Sequence, residues 1–253
     1  MNDISALEAK AEESRLLAAS DPAAEPELTV ALNNLSNRLA EVGRREEALA
    51  AIEESLKIRR RLAASDPDTY GPDLAGTLGN LSNRLAEVGR REEALAAIEE
   101  STQMHRRLAA SDSVAYEADL AMAQNNLSAS LAEAGRRDEA LPIVEESLKI
   151  RRRLAASDPG ANEPDLASTL NNLSVLLAEV GRREEALAAI EESVAVYRRL
   201  AAVNPAAWEP DLARALSNLS NRLMELGRET DASTAAVESA DLQHRLEVGP
   251  PDS

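Results

Sequence analysis

The stretch LSNRLAEVGRREEALAAIEES occupies residues 35–55 and recurs, without one change, at residues 81–101. Shorter near-copies follow, and the glycine inside them falls every 46 residues, at Gly43, Gly89, Gly135, Gly181 and Gly227. An internal period of this size is the mark of a repeat array and decides the architecture before any motif does. The fifth copy, LSNRLMELGRETDAS, is the most divergent.

Each unit reads as two helices. In the second copy Leu74, Leu78, Leu81, Leu85 and Val88 follow the i, i+4, i+7, i+11, i+14 spacing of one helical stripe. The first helix is expected from about Asp73, with Pro72 at its first position, where a missing N–H costs nothing. Gly89 then supplies the left-handed residue that reverses the chain. The second helix opens at Arg90-Arg91-Glu92-Glu93 and stops near Ser111-Asp112; sister copies stop at Ser65-Asp66-Pro67 and Ser157-Asp158-Pro159. The expected plan is one array over residues 1–253, all-α, of eleven helices. It comprises a leading helix at 4–19, repeats at 27–66, 73–112, 119–158, 165–204 and 211–246, and a tail at 247–253. Neither stripe can be buried within one pair, so neighbouring pairs must stack. Ser36, Ser82, Ser128, Ser174 and Ser220 lie beside the Leu stripe, where a hydroxyl can bond the carbonyl four residues back in its own helix.

Composition removes whole classes of function. The chain has no Cys, so disulfides, thiolate metal sites and Cys nucleophiles are impossible. Two histidines, His105 and His244, are too few for a His-rich metal centre; both are expected on solvated helix faces. A net charge of -17 argues against binding a phosphate backbone, and aromatics for base stacking are scarce. No apolar run is long enough to span a membrane, and the N-terminus does not read as a signal peptide, so the cytoplasm is the expected compartment. No Gly-Lys-Ser/Thr loop is present for phosphate, and the Asn34-Leu35-Ser36 glycosylation pattern lies inside a helix. No catalytic residue, metal ligand or cofactor is expected.

The wording TLNNLS…LAEVGRREEALAAIEESL resembles the tetratricopeptide repeat (TPR), above all the longer repeats of the kinesin-light-chain type. Pro164-Asp165-Leu166-Ala167-Ser168-Thr169-Leu170-Asn171-Asn172-Leu173 carries that likeness, and Pro142 falls where the same subfamily often has proline. The 46-residue period, the Leu in place of large core aromatics and the Ser in place of a small Gly or Ala depart from the pattern. The resemblance implies a right-handed TPR-like superhelical solenoid of antiparallel helix pairs. It also implies a non-enzymatic module that receives an extended peptide or helix in a groove lined by the first helices.

On a helical wheel the face opposite the Leu stripe holds Val30, Asn33, Asn34, Asn37 and Glu41. Carried through the copies, its rows are Asn33, Gly79, Asn125, Asn171, Ser217 and Asn37, Asn83, Ala129, Val175, Asn221. A flanking row, Asn34, Asn80, Asn126, Asn172 and Asn218, is uninterrupted. Carboxamides donate and accept, so such a ladder can hold a peptide backbone; the flanking row can equally tie neighbouring helices together. Glu41, Glu87, Glu133, Glu179 and Glu225 line one groove edge, favouring a neutral or basic protein partner. Tyr70, Tyr116 and Trp208, placed just before the first helix, can anchor a partner or cap the preceding helix. The Arg runs at 59–61, 106–107, 151–153 and 198–199 are expected to pair with glutamates upstream in the same helix. Two other readings stay open. One is a sensor or scaffold array from a larger bacterial signalling protein, since the chain starts with half a unit. The other is a structural solenoid that self-associates through its terminal repeats.

Overall fold

The computed structural model describes residues 4–248. Among them the chain forms eleven α-helices, one 3-10 turn at Pro22–Ala24 and no strand. The helices are α1 (Ile4–Ser20), α2 (Glu25–Glu41), α3 (Arg45–Ser65), α4 (Pro67–Glu87), α5 (Arg91–Ser111), α6 (Ser113–Glu133), α7 (Arg137–Ser157), α8 (Pro159–Glu179), α9 (Arg183–Val203), α10 (Pro205–Glu225) and α11 (Glu229–Val248). Even-numbered helices open each hairpin and odd-numbered ones close it. The chain divides into two compact units, residues 1–123 and 124–253, and the division falls inside α6.

The first helices of repeats two to five begin six residues earlier than the sequence reading has them, and α2 begins two residues earlier, at Glu25. α4 starts at Pro67, not Asp73, and α8 and α10 start at Pro159 and Pro205, not at 165 and 211. Asp66 is the reason: its backbone N–H closes α3 on the Leu62 carbonyl (2.9 Å), while its carboxylate accepts the Thr69 N–H (3.1 Å) and caps α4. One Ser-Asp-Pro therefore both ends a helix and starts the next, and no linker remains. The Thr69 contacts also hold the Asp66 carboxyl below the usual carboxylate range. Asp158 and Asn204 cap α8 and α10 in the same way. Pro72, Pro164 and Pro210 consequently lie inside their helices, each at the sixth position. At the other end α11 runs through Val248, past the expected 246; the rest of the expected tail, residues 249–253, lies outside the described residues.

The turn within each hairpin follows the sequence expectation. Gly43, Gly89, Gly135, Gly181 and Gly227 all have positive φ, between 72 and 84°. At the end of α2 the Gly43 N–H bonds the Ala40 carbonyl (2.9 Å) and the Arg44 N–H reaches back to Leu39 (2.9 Å). This pair of bonds satisfies two carbonyls that the helix end would leave bare.

Within the unit 4–123, the stripe of Leu28, Leu32, Leu35 and Leu39 is buried with Ala11, Ala48 and Ala51. Leu81 and Leu85 join Leu49, Ile52, Ala94 and Ala97. Within the unit 124–248, Leu212, Leu216 and Leu223 of α10 bury against Leu187, Ile190, Val194 and Tyr197 of α9 and Ala232, Ala235 and Leu242 of α11. The hairpin serines do not bond their own helix, as the sequence reading has it, but cross to the partner. Ser36, Ser82 and Ser174 donate to the carbonyls of Ala48, Ala94 and Ala186 at 2.7–2.8 Å. Ser101, Ser193 and Ser239 donate the other way, to Ala75, Ala167 and Ala213. Small side chains bring the backbones close enough for a hydroxyl to reach across, which fixes the sliding register of the two helices.

A buried polar row was missed altogether. Arg59, His105, Arg151 and Tyr197 occupy one position of successive second helices and are only 2–5% exposed. Each faces the Asp at the seventh position of the following helix: Asp73, Asp119, Asp165 or Asp211. The 46-residue spacing of these four is visible in the sequence, but their unlike chemistry hides it. Burial, with Asp211 nearby, pushes the Tyr197 hydroxyl up to about 12. His105 is thus not on a solvated face; His244 is exposed.

Burial lowers the His105 pKa, with the Asp119 charge opposing, and its Nδ1 has no hydrogen-bond partner among the described residues. A base whose folded pKa lies below its unfolded value of about 6.5 gives stability that is present above that pH and lost as pH falls through it. Unfolding free energy should therefore drop between about pH 7 and 5, and part of that drop should disappear in His105→Gln. Equal slopes in the two proteins, followed by urea titration, would contradict this.

The Arg runs pair between helices, not within them. Arg60 bonds Glu100 (2.7 Å), Arg152 bonds Glu192 (2.6 Å) and Arg199 bonds Glu163 (2.7 Å), spacings of 36 or 40 residues. Pairs three residues apart lie instead at the start of the second helices, such as Arg90 with Glu93 and Arg182 with Glu185 (both 2.6 Å), and near the ends of α2, α4 and α10. Tyr70, Tyr116 and Trp208 sit in the first turn of α4, α6 and α10, not ahead of a helix, and are half-buried. Tyr70 packs on Ala63, Leu74 and Leu78, and Trp208 on the α9–α11 core.

Candidate functional site

The outward faces of the first helices carry the predicted site residues, and the structure sorts them by depth. Asn37, Asn83 and Asn221 are exposed, and so are Glu41, Glu87, Glu133, Glu179 and Glu225. Asn33, Asn80, Asn125, Asn126, Asn172 and Asn218 are half-buried, and Asn171 is 5% exposed.

In the unit 124–248 two of the Asn rows meet. Asn172 Nδ2 donates to Asn125 Oδ1 (3.2 Å), and Asn218 Nδ2 donates to Asn171 Oδ1 (2.9 Å). In this unit the flanking row therefore links α8 to α6 and α10 to α8, the second of the two roles its sequence allows. In the unit 4–123 the buried Asn33 Oδ1 has no partner among the described residues.

The glutamate edge is largely neutralised from within. Glu41, Glu87 and Glu225 each pair with an Arg three residues earlier, at Arg38, Arg84 and Arg222. The third and fourth repeats carry Ser130 and Leu176 at that position, so the pairing fails there. Glu179 takes Arg137 of α7 instead (2.7 Å). Glu133 has no ion-pair partner among the described residues.

Those two repeats also break the exposed Asn row, with Ala129 and Val175. Between α6 and α8 the result is a recess of about 320 Å³ lined by Ser128, Ala129, Ala132, Val175 and Leu176, rimmed by Glu133, Glu179, Arg137 and Asn172. It has an apolar floor, a carboxamide on one side and one uncompensated carboxylate at the edge. Such a recess can take a small apolar or long-stemmed side chain and favours a positive tip. Among the described residues no group of three or more His, Asp or Glu is placed to hold a metal ion, and no helix is long and apolar enough to cross a membrane.

Helical hairpins in tandem, Gly-reversed and serine-registered, with the first helices α6, α8 and α10 tied by carboxamides, define a TPR-type solenoid. Tetratricopeptide repeat family models match residues 28–68, 74–114 and 119–199. The chain belongs to the tetratricopeptide repeat family, with the kinesin-light-chain character that its first-helix wording implies.

Solved structures agree with this fold. The crystal structure of BtubC (BKLC) from P. vanneervenii is similar at 22% identity and a TM-score of 0.76, over 99% of this chain and 93% of that one. A Podosopora anserina structure titled for a kinesin light chain with nearly identical TPR-like repeats aligns at 16% identity and a TM-score of 0.63, over 86% and 96%. YrrB, titled as a TPR protein with an unusual peptide-binding site, aligns at 18% identity and a TM-score of 0.52, over 92% and 93%. No curated protein matches the chain.

Proposed function

We propose that this chain is a non-enzymatic protein-interaction module. An extended peptide lies across the outward face of the first helices and inserts one side chain between α6 and α8. The recess carries the reading, because it coincides with the one place where the repeats depart from their own pattern at several outward positions together. Ala129, Val175, Ser130 and Leu176 replace the Asn and Arg of sister copies, opening space and leaving Glu133 unpaired. In the unit 124–248 the exposed Asn221 serves the peptide backbone, while Asn125, Asn171, Asn172 and Asn218 mainly hold the helices together; Asn37 and Asn83 present the same amides in the unit 4–123. The unusual peptide-binding site of YrrB supports the class of partner. Glu133 selects a Lys or Arg beside a small apolar residue, so the partner is neutral or basic.

Peptide display against the whole chain tests this. Selected peptides should be enriched in a basic residue next to an apolar one. Glu133→Lys should weaken them about tenfold, an effect of roughly 1.4 kcal/mol. Ala129→Phe, which fills the recess from an exposed position, should abolish binding at an unchanged melting temperature. Peptides that bind both variants as well as the parent would remove the proposal.

A further inference from the structure

A second cavity, of about 540 Å³, lies in the unit 4–123 where the end of α3, the start of α4 and the end of α5 converge. Its floor is apolar, with Ala63, Ala64, Leu74, Met104 and Leu108, and Arg107 and Arg60 stand at its edge. Arg107 belongs to a row that includes Arg61, Arg199 and Arg245. In those repeats the protein itself supplies a carboxylate: Glu25 pairs with Arg61, Glu163 with Arg199 (2.7 Å) and Glu209 with Arg245 (3.0 Å). These glutamates are only 17–22% exposed, so each lies down into its site beneath the guanidinium. The corresponding cavity around α10 and α11, of about 570 Å³, has Glu209 and Arg245 in its wall.

The equivalent of that glutamate in α4 is Gly71, and Arg107 has no carboxylate within ion-pair distance among the described residues. Glycine inside a helix is itself costly, by about 1 kcal/mol against alanine, and here it removes the acid that sister repeats use. Outside its own stretch of helix no atom lies within 4 Å of where a Gly71 Cβ would stand, so a side chain has room to leave the backbone there. We infer that this cavity is a binding site for a glutamate side chain of a partner peptide. The partner's carboxylate would take the place that Glu25, Glu163 and Glu209 fill elsewhere, bonding the Arg107 fork, while flanking apolar side chains cover Leu74, Met104 and Leu108. Asp68, exposed at the cavity mouth and peculiar to this repeat, opposes the ligand and limits its affinity.

The test uses the full chain with ¹³C-methyl methionine and the probe acetyl-Leu-Glu-Leu-amide, reading the Met104 methyl resonance. One charge-assisted contact with modest apolar cover predicts a saturating shift near about 1 mM, weakened by salt. Gly71→Glu supplies the acid internally; it should abolish the shift and raise the melting temperature by a few degrees. Arg107→Gln should also abolish it, without needing a new side chain to fit, and Asp68→Asn should tighten binding several-fold. An equal shift from acetyl-Leu-Gln-Leu-amide, or none from acetyl-Leu-Glu-Leu-amide, overturns the assignment. So does a shift that survives in Gly71→Glu. Free glutarate binding as tightly as the peptide would make a small dicarboxylate the occupant and equally overturn it.

Discussion

Leu216→Ala lowers the unfolding free energy by about 2–5 kcal/mol, the range for emptying a fully buried leucine site. Leu216 has no solvent exposure and sits among Leu187, Ile190 and Val194 of α9 and Leu212 and Leu223 of its own helix. The upper part of the range is expected, because the walls are helix backbones held in register by hydroxyls. Ser193 bonds Ala167, Ser220 bonds Ala232 and Ser239 bonds Ala213, at 2.7–2.8 Å. Helices locked in this way cannot slide inwards to close the cavity. Because a repeat array sums its stability over neighbouring units, the damage should also be local. Hydrogen exchange should show amides of α9, α10 and α11 losing protection while those of α2, α3 and α4 keep theirs. A loss spread evenly along the chain would show that its repeats unfold as one body. A cost below about 1 kcal/mol would show that the α9–α11 core relaxes freely.

The features legible in the sequence are those set by neighbours in the chain. The i, i+4, i+7, i+11 leucines placed one face of each first helix correctly, and the glycines placed the reversals, because each depends on only one helix or one turn. The start of each first helix was misread for a local reason as well. Two prolines compete for the first helical position, and Pro72 was chosen over Pro67 because Ser-Asp-Pro was read only as a stop. The cap shows it to be a start as well. What could not be read locally is what lies across a gap. Ser36 was assigned to its own helix because the carbonyl it uses, on Ala48, becomes adjacent only when the hairpin closes. Helical spacing pairs the Arg runs upstream, whereas their acids lie 14, 36 or 40 residues away, distances that signify contact only once helices pack on one another. The candidate site is intermediate. The breaks at Ala129 and Val175 are plain in the aligned copies, but their recess depends also on Leu176 in its wall, which only the packing of α8 beside α6 brings there.

Asp73→Ala should destabilise the chain by about 1.5–3 kcal/mol, whereas Arg59→Met, which deletes the other half of the same pair, should cost far less. The asymmetry comes from burial. The Arg59 side chain is 6% exposed, and its guanidinium reaches the Asp73 carbonyl at 2.6 Å and the carboxylate at 3.5 Å; Asp73 is 59% exposed. Burial already lowers the Arg59 pKa despite the acid beside it, so its charge is held at a cost that Asp73 offsets. Asp73→Ala keeps the backbone carbonyl but removes the countercharge, leaving a buried cation whose Nε already has no partner. Removing Arg59 leaves only a solvated surface carboxylate. The expected cost for Asp73 is set below the 3–5 kcal/mol of fully buried pairs because more than half of its side chain faces water. The fold itself vouches for the tolerance at Arg59, since the same position holds buried, uncharged Tyr197 between α9 and α10. In Arg59→Met/Asp73→Ala the cost of losing Asp73 should vanish, because no buried charge remains for it to serve. Urea unfolding of the two single variants and the double variant decides it. Equal costs for the single variants, with simple addition in the double, would mean that Arg59 is held by its aliphatic stem and that the acid row opposite is only surface.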